Sequence, residues 1–227
     1  MFEYMKAGCL FSGGKDSTFA AYYAKKNYQL KYLISVKSKE DSPMFHYPNI
    51  ELTKIQAKLI GVKHIFYESH NEKEKETEEL KQVISKLDID TIIVGAVASK
   101  YQRNRISKIA KELNLKLISP IWKIDELQYL KKLIDLGFKT IITGVAAEGL
   151  TEDYLGKKID ENCIGDLIRL NKKFGISIVG EGGEYESFVL DCPIFDRKIE
   201  ILDSVKYWNA KIQSGWLEIK KIRLVKK

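Results

Sequence analysis

The sequence predicts an α/β protein: a parallel sheet with helices on both faces, followed by a smaller α+β unit. Three observations carry this reading. Short apolar runs alternate regularly with helical patterns through the first half of the chain. A glycine turn, Ser12-Gly13-Gly14-Lys15-Asp16-Ser17, stands directly between the first apolar run and an alanine-rich helical stretch. Beyond Pro120-Ile121-Trp122 the pattern changes, and the C-terminal part reads as antiparallel strands joined by polar turns.

Taken in order, strands are expected near 5–11, 30–36, 63–67, 90–95 and 115–118, and helices near 16–27, 49–60, 74–87 and 100–113. Pro48 followed by Asn49 marks the start of the second helix, because proline holds the residue before it out of helical backbone. The charged run 71–79 (NEKEKETEE) reads as a solvated loop or an exposed helix start. Regular βα alternation requires crossover connections and places ligands beyond the carboxyl ends of the strands. After a boundary at 122/123 come a helix at 125–136, a strand at 139–145 and a helix at 160–173. Strands follow at 187–190, 198–208 and 211–225. Two domains are expected, 1–122 and 123–227.

A chain of 227 residues with 44% hydrophobic and 30% charged content can bury a core, which excludes a disordered class. Glu3 and Lys6 interrupt the N-terminus, so no signal peptide is expected, and the apolar run Thr91 to Ala98 is too short to cross a bilayer. A cytoplasmic protein is expected. Cys9, Cys163 and Cys192 form no Cys-x-x-Cys pair, which argues against a disulfide framework or a zinc knuckle, and Cys9 reads as a buried apolar residue. His46, His64 and His70 are too scattered for a metal cluster. The net charge of +7 favours nucleotides, acidic proteins or RNA without choosing among them. Basic residues cluster without acidic neighbours only at Lys220, Lys221, Arg223, Lys226 and Lys227, which read as a solvated terminus.

The turn after the first strand is the strongest chemical signal. Strand, glycine turn and helix N-terminus in that order make an anion site, because unpaired N–H groups and the helix dipole converge on one point. Gly13 and Gly14 let the backbone close around an oxyanion, Ser12 and Ser17 add hydroxyl donors, and Lys15 adds a charge. A phosphate chain is the expected ligand. The spacing is not that of a Walker A loop: counting from Gly8 puts Gly14 where the lysine should stand, and Asp16 follows Lys15 where Ser or Thr is required. The plainer alternative is a glycine turn with Asp16 or Ser17 as helix cap.

A second signal is Gly95 through Arg105 (GAVASKYQRNR), which also follows a strand and opens a helix. Gly95, Ser99, Tyr101, Gln102, Arg103 and Arg105 are therefore candidate nucleotide contacts beside the first turn. Arg103 and Arg105 lie on different sides of a helix, so one can face the nucleotide while the other meets substrate or solvent. The third signal is Gly180-Glu181-Gly182-Gly183-Glu184-Tyr185-Glu186. Its glycines argue against a helix or a central strand, and its crowded carboxylates call for a cation or a donor. Asp191 and Pro193-Ile194-Phe195 frame it. His46 could reach the nucleotide pocket or be a loop residue without a role. Gly149 to Gly156 could line the same cleft, with Thr151 as a simple cap.

SGGKDS resembles the PP-loop of the N-type ATP pyrophosphatases at every position. Together with Ser99–Arg105, Gly149–Gly156 and GEGGEYE followed by Asp191 and Pro193, it resembles the diphthine–ammonia ligase family, of the short archaeal type without further C-terminal domains. GEGGEYE is the narrower of the two signatures. The resemblance implies a Rossmann-like ATP-pyrophosphatase domain and a C-terminal substrate-recognition domain with the site in the cleft between them. It also implies amidation of diphthine on translation elongation factor 2, with ATP and ammonium giving diphthamide, AMP and pyrophosphate. In that reading Lys15 and the serine hydroxyls hold phosphates, Asp16 orients Mg²⁺, and Glu181, Glu184, Tyr185 and Glu186 recognise the trimethylammonium of diphthine or guide ammonium. Adenine contacts would come from backbone near Ile34 to Val36. Free ammonium is the expected nitrogen source, since a glutaminase domain has no room. No membrane or nucleic-acid partner is expected, and a homodimer is left open. Two other readings stand beside this one: a PP-loop tRNA-modifying enzyme, and an adenine-nucleotide sensor without turnover.

Overall fold

Near-continuous apolar strands alternating with helices build a five-stranded parallel sheet in the N-terminal part. The computed structural model describes residues 5–37, 49–69, 73–97 and 100–227. His46, Pro48, His70 and Ser99 lie outside the described residues. In chain order the first elements are β1 (Lys6–Leu10), α1 (Lys15–Asn27), β2 (Gln29–Lys37), α2 (Thr53–Ile60), β3 (Lys63–Glu68), α3 (Lys73–Ile84), β4 (Thr91–Ile93), α4 (Lys100–Glu112) and β5 (Lys116–Ile118). The strand order is β3-β2-β1-β4-β5 and every pair is parallel. Ala7, Cys9, Ile92 and Ile93 are fully buried, as central parallel strands require. One core cluster joins Ile34, Leu80, Ile84, Ile92, Val94 and Ile109. The alanines at 20, 21 and 24 are fully buried on α1, where small side chains permit close packing.

This order reverses direction between β1 and β4. The chain winds outward through β2 and β3 on one side and through β5 on the other. The loops leaving β1 and β4 therefore flank the switch point, where open α/β sheets bind ligands.

Two expected elements are shifted. The second helix opens as a 3-10 turn, Ile50–Leu52, because the Thr53 hydroxyl donates to the Ile50 carbonyl (2.5 Å), and Asn49 makes no side-chain capping bond. The third helix ends at Ile84, three residues early, where the Leu87 N–H turns back to the Ile84 carbonyl (3.0 Å).

The C-terminal part holds α5 (Glu126–Asp135), β6 (Lys139–Val145), α6 (Glu161–Phe174), β7 (Tyr185–Asp191), β8 (Arg197–Asn209) and β9 (Ser214–Lys226). Its four strands form a sheet in the order β7-β6-β9-β8 with antiparallel pairing. Aspartates start both helices: Asp125 accepts from the Gln128 N–H (2.8 Å) and Asp160 from the Cys163 N–H (2.9 Å). Gly175, at φ +74°, ends α6. Tyr129, Leu130, Ile142, Cys163, Leu167, Phe188 and Val189 form the buried interior.

Here the sequence reading needs two corrections. The seventh strand starts at Tyr185, not Ser187, because Tyr185 and Glu186 pair with Val145 and Gly144 of β6. The basic C-terminal cluster is exposed, yet it is no loose terminus: it forms β9, paired with β8 over its length. Acids that are remote in sequence or two residues away answer it, with Arg223 on Glu200 (2.7 Å), Lys220 on Glu218 (2.6 Å) and Lys227 on Asp191 (2.7 Å).

By contact density the chain divides into two units, Met1–Ser12 with Asp16–Trp122, and Gly13–Lys15 with Lys123–Lys227. The three cysteines are free and buried. Among the described residues no helix is long and apolar enough to cross a membrane, and no group of three or more His, Cys, Asp or Glu side chains could hold a metal ion.

Candidate functional site

The turn Ser12–Ser17 bridges β1 and α1, with the helix beginning at Lys15. Gly13 sits at φ +81°, a left-handed conformation that a side chain would strain. The Ser17 hydroxyl closes the turn: it accepts from the Ser12 N–H (3.1 Å) and shares a hydrogen bond with the Ser12 hydroxyl (3.1 Å). Ser12 is exposed, Gly14 and Asp16 are half-buried, and Ser17 is buried. The preceding residue is fastened to β2, where the Phe11 N–H donates to the Ile34 carbonyl (2.8 Å) and the Ser35 hydroxyl to the Phe11 carbonyl (2.5 Å). His64 Nε2 lies 2.8 Å from the same Ser35 hydroxyl. Since that hydroxyl's proton goes to Phe11, His64 donates through Nε2. Burial, with the nearby Lys54 charge, holds its pKa below the ordinary histidine value.

The loop after β4 comes against this turn. A Cβ on Gly95 would stand 2.5 Å from the Asp16 carbonyl carbon, 2.6 Å from its oxygen and 2.7 Å from the Ser17 nitrogen. Gly95 is thus a glycine for reasons of space, and the two loops touch backbone to backbone. Tyr101, Gln102 and Arg103 follow in the first turn of α4. Arg105, one turn on, donates its Nε–H to the Thr77 hydroxyl of α3 (2.6 Å).

The middle of the glycine turn packs in the second unit. The Gly13 carbonyl accepts from the Val189 N–H (3.0 Å), and the Lys15 N–H donates to the Ser187 hydroxyl (3.1 Å). The Lys15 side chain, 2% exposed, donates to the Val179 carbonyl (2.5 Å), with its ammonium 5.1 Å from the centre of the Tyr185 ring. The GEGGEYE motif supplies this environment. Glu184 folds the loop on itself: its two carboxylate oxygens accept from the Ser177 N–H (2.9 Å) and the Gly182 N–H (2.7 Å). Tyr185 is buried and donates its hydroxyl to the Ile178 carbonyl (2.8 Å). Glu181 is half-buried, with its N–H 3.3 Å from the Ser177 hydroxyl. Glu186, also half-buried, stands opposite Gly144 of β6, where a Cβ would come within 3.1 Å of its own.

Sequence reasoning missed several of these contributors. Glu126, at the start of α5, accepts from the Ser177 hydroxyl (3.1 Å) and the Ile178 N–H (2.9 Å), pinning the loop from outside. Ser187 and the Val179 carbonyl were equally unseen; Ser187 directly follows the motif, which was the one available signal. In the Gly149–Gly156 segment, Gly149 packs on α6, while Thr151, Glu152 and Asp153 are exposed. Gly149, at φ +86°, has no room for a Cβ against Phe174 (2.5 Å), and Thr151 makes no side-chain capping bond.

Residues 5–117 match the diphthamide synthase N-terminal domain family and residues 125–225 match its C-terminal domain. A human diphthine–ammonia ligase is 32% identical over 88% of this chain and 84% of its own length. The Schizosaccharomyces pombe diphthine–ammonia ligase is 32% identical over 95% of this chain, which spans only 39% of that protein. Among solved structures, a U34-tRNA thiolase NcsA from Methanococcus maripaludis aligns over 80% of this chain and 72% of its own at 17% identity, with a TM-score of 0.42. The match of both domain families in order, with the human relative aligned over most of both proteins, shows that the chain belongs to the diphthine–ammonia ligase family.

Proposed function

We propose that this protein amidates diphthine on translation elongation factor 2, consuming ATP and ammonium and releasing AMP and pyrophosphate in the cytoplasm. The observation that carries the reading is the glycine turn at the sheet's switch point, with Gly95 pressed against the backbone of Asp16 and Ser17. Family membership supplies the substrate class.

The chemistry follows from what a carboxylate lacks. Its oxygen leaves poorly, so attack on the α-phosphate of ATP makes that oxygen part of an AMP leaving group, and ammonia then attacks the acyl carbon. Backbone N–H groups of Gly13 and Gly14, with the Ser12 hydroxyl, would grip the β- and γ-phosphates and stabilise charge on departing pyrophosphate. Asp16 is the residue that would hold Mg²⁺. A magnesium ion that keeps most of its waters and leans on phosphates needs only one or two carboxylates, and Asp16, half-buried in the turn, is one. The ion would neutralise phosphate charge. Glu181 and Glu186 are the carboxylates we assign to the trimethylammonium or to ammonium. Glu184 already serves two backbone N–H groups of its own loop. Tyr101, Gln102, Arg103 and backbone near Ile34–Val36 remain our candidates for nucleotide contacts.

The test is direct. Purified protein is incubated with ATP, ammonium and diphthine-bearing elongation factor, and the modified histidine is weighed by mass spectrometry alongside assay of AMP. Conversion of the carboxylate to the amide is expected, with one AMP per amide. ADP and orthophosphate in place of AMP and pyrophosphate, or AMP released only with tRNA, would overturn the reading.

A further inference from the structure

Lys15 is placed unlike a lysine waiting in solvent for a phosphate. It is 2% exposed, its ammonium donates to the Val179 carbonyl, and a tyrosine ring lies 5.1 Å away. An ammonium over an aromatic face is held electrostatically, more firmly when water is excluded. The seat is itself braced. The Tyr185 hydroxyl is bonded to the Ile178 carbonyl, Glu126 accepts from the Ile178 N–H, and Glu184 and Glu126 both hold Ser177. Residues 177–179 are thus fixed from three directions, and the Val179 carbonyl is presented where Lys15 meets it.

On the reading that the Ser12–Ser17 turn grips a triphosphate, we propose that the 177–186 loop forms a cation seat for Lys15 that competes with the nucleotide for the same ammonium. Tyr185 is then a positioning residue acting through Lys15, and Glu184 and Glu126 hold the seat's shape. A phosphate that takes Lys15 must draw it off the Tyr185 face. Nucleotide at the turn and the state of the glycine loop are therefore linked, and the linkage is reciprocal. The loop that carries Glu181 and Glu186 senses whether the lysine has left.

Calorimetry with Mg²⁺ and α,β-methylene-ATP tests this on five proteins: wild type, Tyr185→Phe, Tyr185→Leu, Lys15→Met and the Lys15→Met/Tyr185→Leu double variant. Tyr185→Phe keeps the ring but loses the hydroxyl brace on Ile178, so its effect on binding is expected to be smaller than that of Tyr185→Leu. Tyr185→Leu removes the ring, so binding is expected to tighten about three- to tenfold. In the Lys15→Met background the same change is expected to do nothing, a dependence on Lys15 that a merely structural role would not show. Equal effects with and without Lys15, or no effect in either, overturn the seat while leaving nucleotide binding intact. A wild type that binds no nucleotide removes the phosphate reading, and the seat with it. A second measurement needs no variant of Tyr185. In protein carrying ¹³C at lysine Cε, the Lys15 signal, identified by its loss in Lys15→Met, is expected upfield under the ring and back in the common lysine range when the analogue is saturating. A Lys15 signal that never leaves the common range, or that stays upfield at saturation, refutes the competition.

Discussion

Gly95→Ala tests the close approach of the two loops at the switch point. The new methyl carbon would stand 2.5–2.7 Å from three backbone atoms of Asp16 and Ser17. Carbon contacts become favourable near 3.5 Å, so the Ser12–Ser17 turn would have to retreat by about 1 Å. No flexible side-chain end is available to yield, because all three atoms are backbone. Overpacking of this kind costs about 1–3 kcal/mol, and a misplacement of about 1 Å at a reacting centre can cost on the order of a hundredfold in rate. Gly137→Ala is the control. It sits between α5 and β6 at φ +83° with nothing within 4 Å of its Cβ, so it carries backbone strain of about 1–2 kcal/mol without touching the turn. Thermal denaturation and calorimetry with α,β-methylene-ATP separate the two. Both variants are expected to melt lower, and Gly95→Ala alone is expected to lose nucleotide affinity tenfold or more and amidation about a hundredfold. Wild-type affinity and turnover in Gly95→Ala would refute the reasoning, since the two loops would then be free to part without consequence.

Three other outcomes are expected. Glu126→Ala removes the acceptor for the Ser177 hydroxyl and the Ile178 N–H, and should lower stability by about 1–3 kcal/mol, read from urea midpoints; an unchanged midpoint contradicts the bracing role. His64 has its pKa lowered from 6.5 by burial, so the unfolded chain takes up its proton first and stability falls as pH drops below about 6.5. The fall should level off below the folded-state pKa and be absent in His64→Gln, as melting curves across pH 5–8 would show, whereas identical pH profiles would contradict it. Burial pushes the Cys163 thiol up to about 11 and the Cys192 thiol up to about 12, and raises that of Cys9 still further. Ellman's reagent should therefore find three thiols in denaturant and next to none, over minutes, in native protein; rapid native labelling would show that one of them is accessible.

How much of this could be read from the sequence follows from the range of each interaction. The turn Ser12–Ser17 was legible because its chemistry is local: strand, two glycines, lysine and helix start are consecutive. Gly95 was legible at one remove, since parallel strands bring the loops after β1 and β4 together once the alternation is recognised. The environment of Lys15 was not legible. Its partners Val179 and Ser187 lie 164 and 172 residues away, and no periodicity encodes that pairing. The GEGGEYE carboxylates read alike in sequence, but Glu184 folds onto its own loop while Glu186 enters a strand opposite a glycine. That difference depends on Gly180 and Gly183 turning the chain at φ +74° and +86°. The basic cluster at 220–227 looked unpaired because β8 brings Glu200 opposite Arg223 only after the hairpin closes.

That hairpin has a consequence for how the protein behaves in company. Strand β8 is the outer edge of its sheet and runs for 13 residues, long enough to template a neighbour's backbone into a growing aggregate. Residues 197–227 hold nine of the 38 basic residues but only three of the 31 acidic ones, so nearly all of the chain's positive surplus rides on this one ribbon. Two such ribbons approaching edge to edge repel, and the irregular register around Leu202 and Asp203 spoils the straight ladder that stacking would need. The insulation is electrostatic, and concentrated salt wears it away.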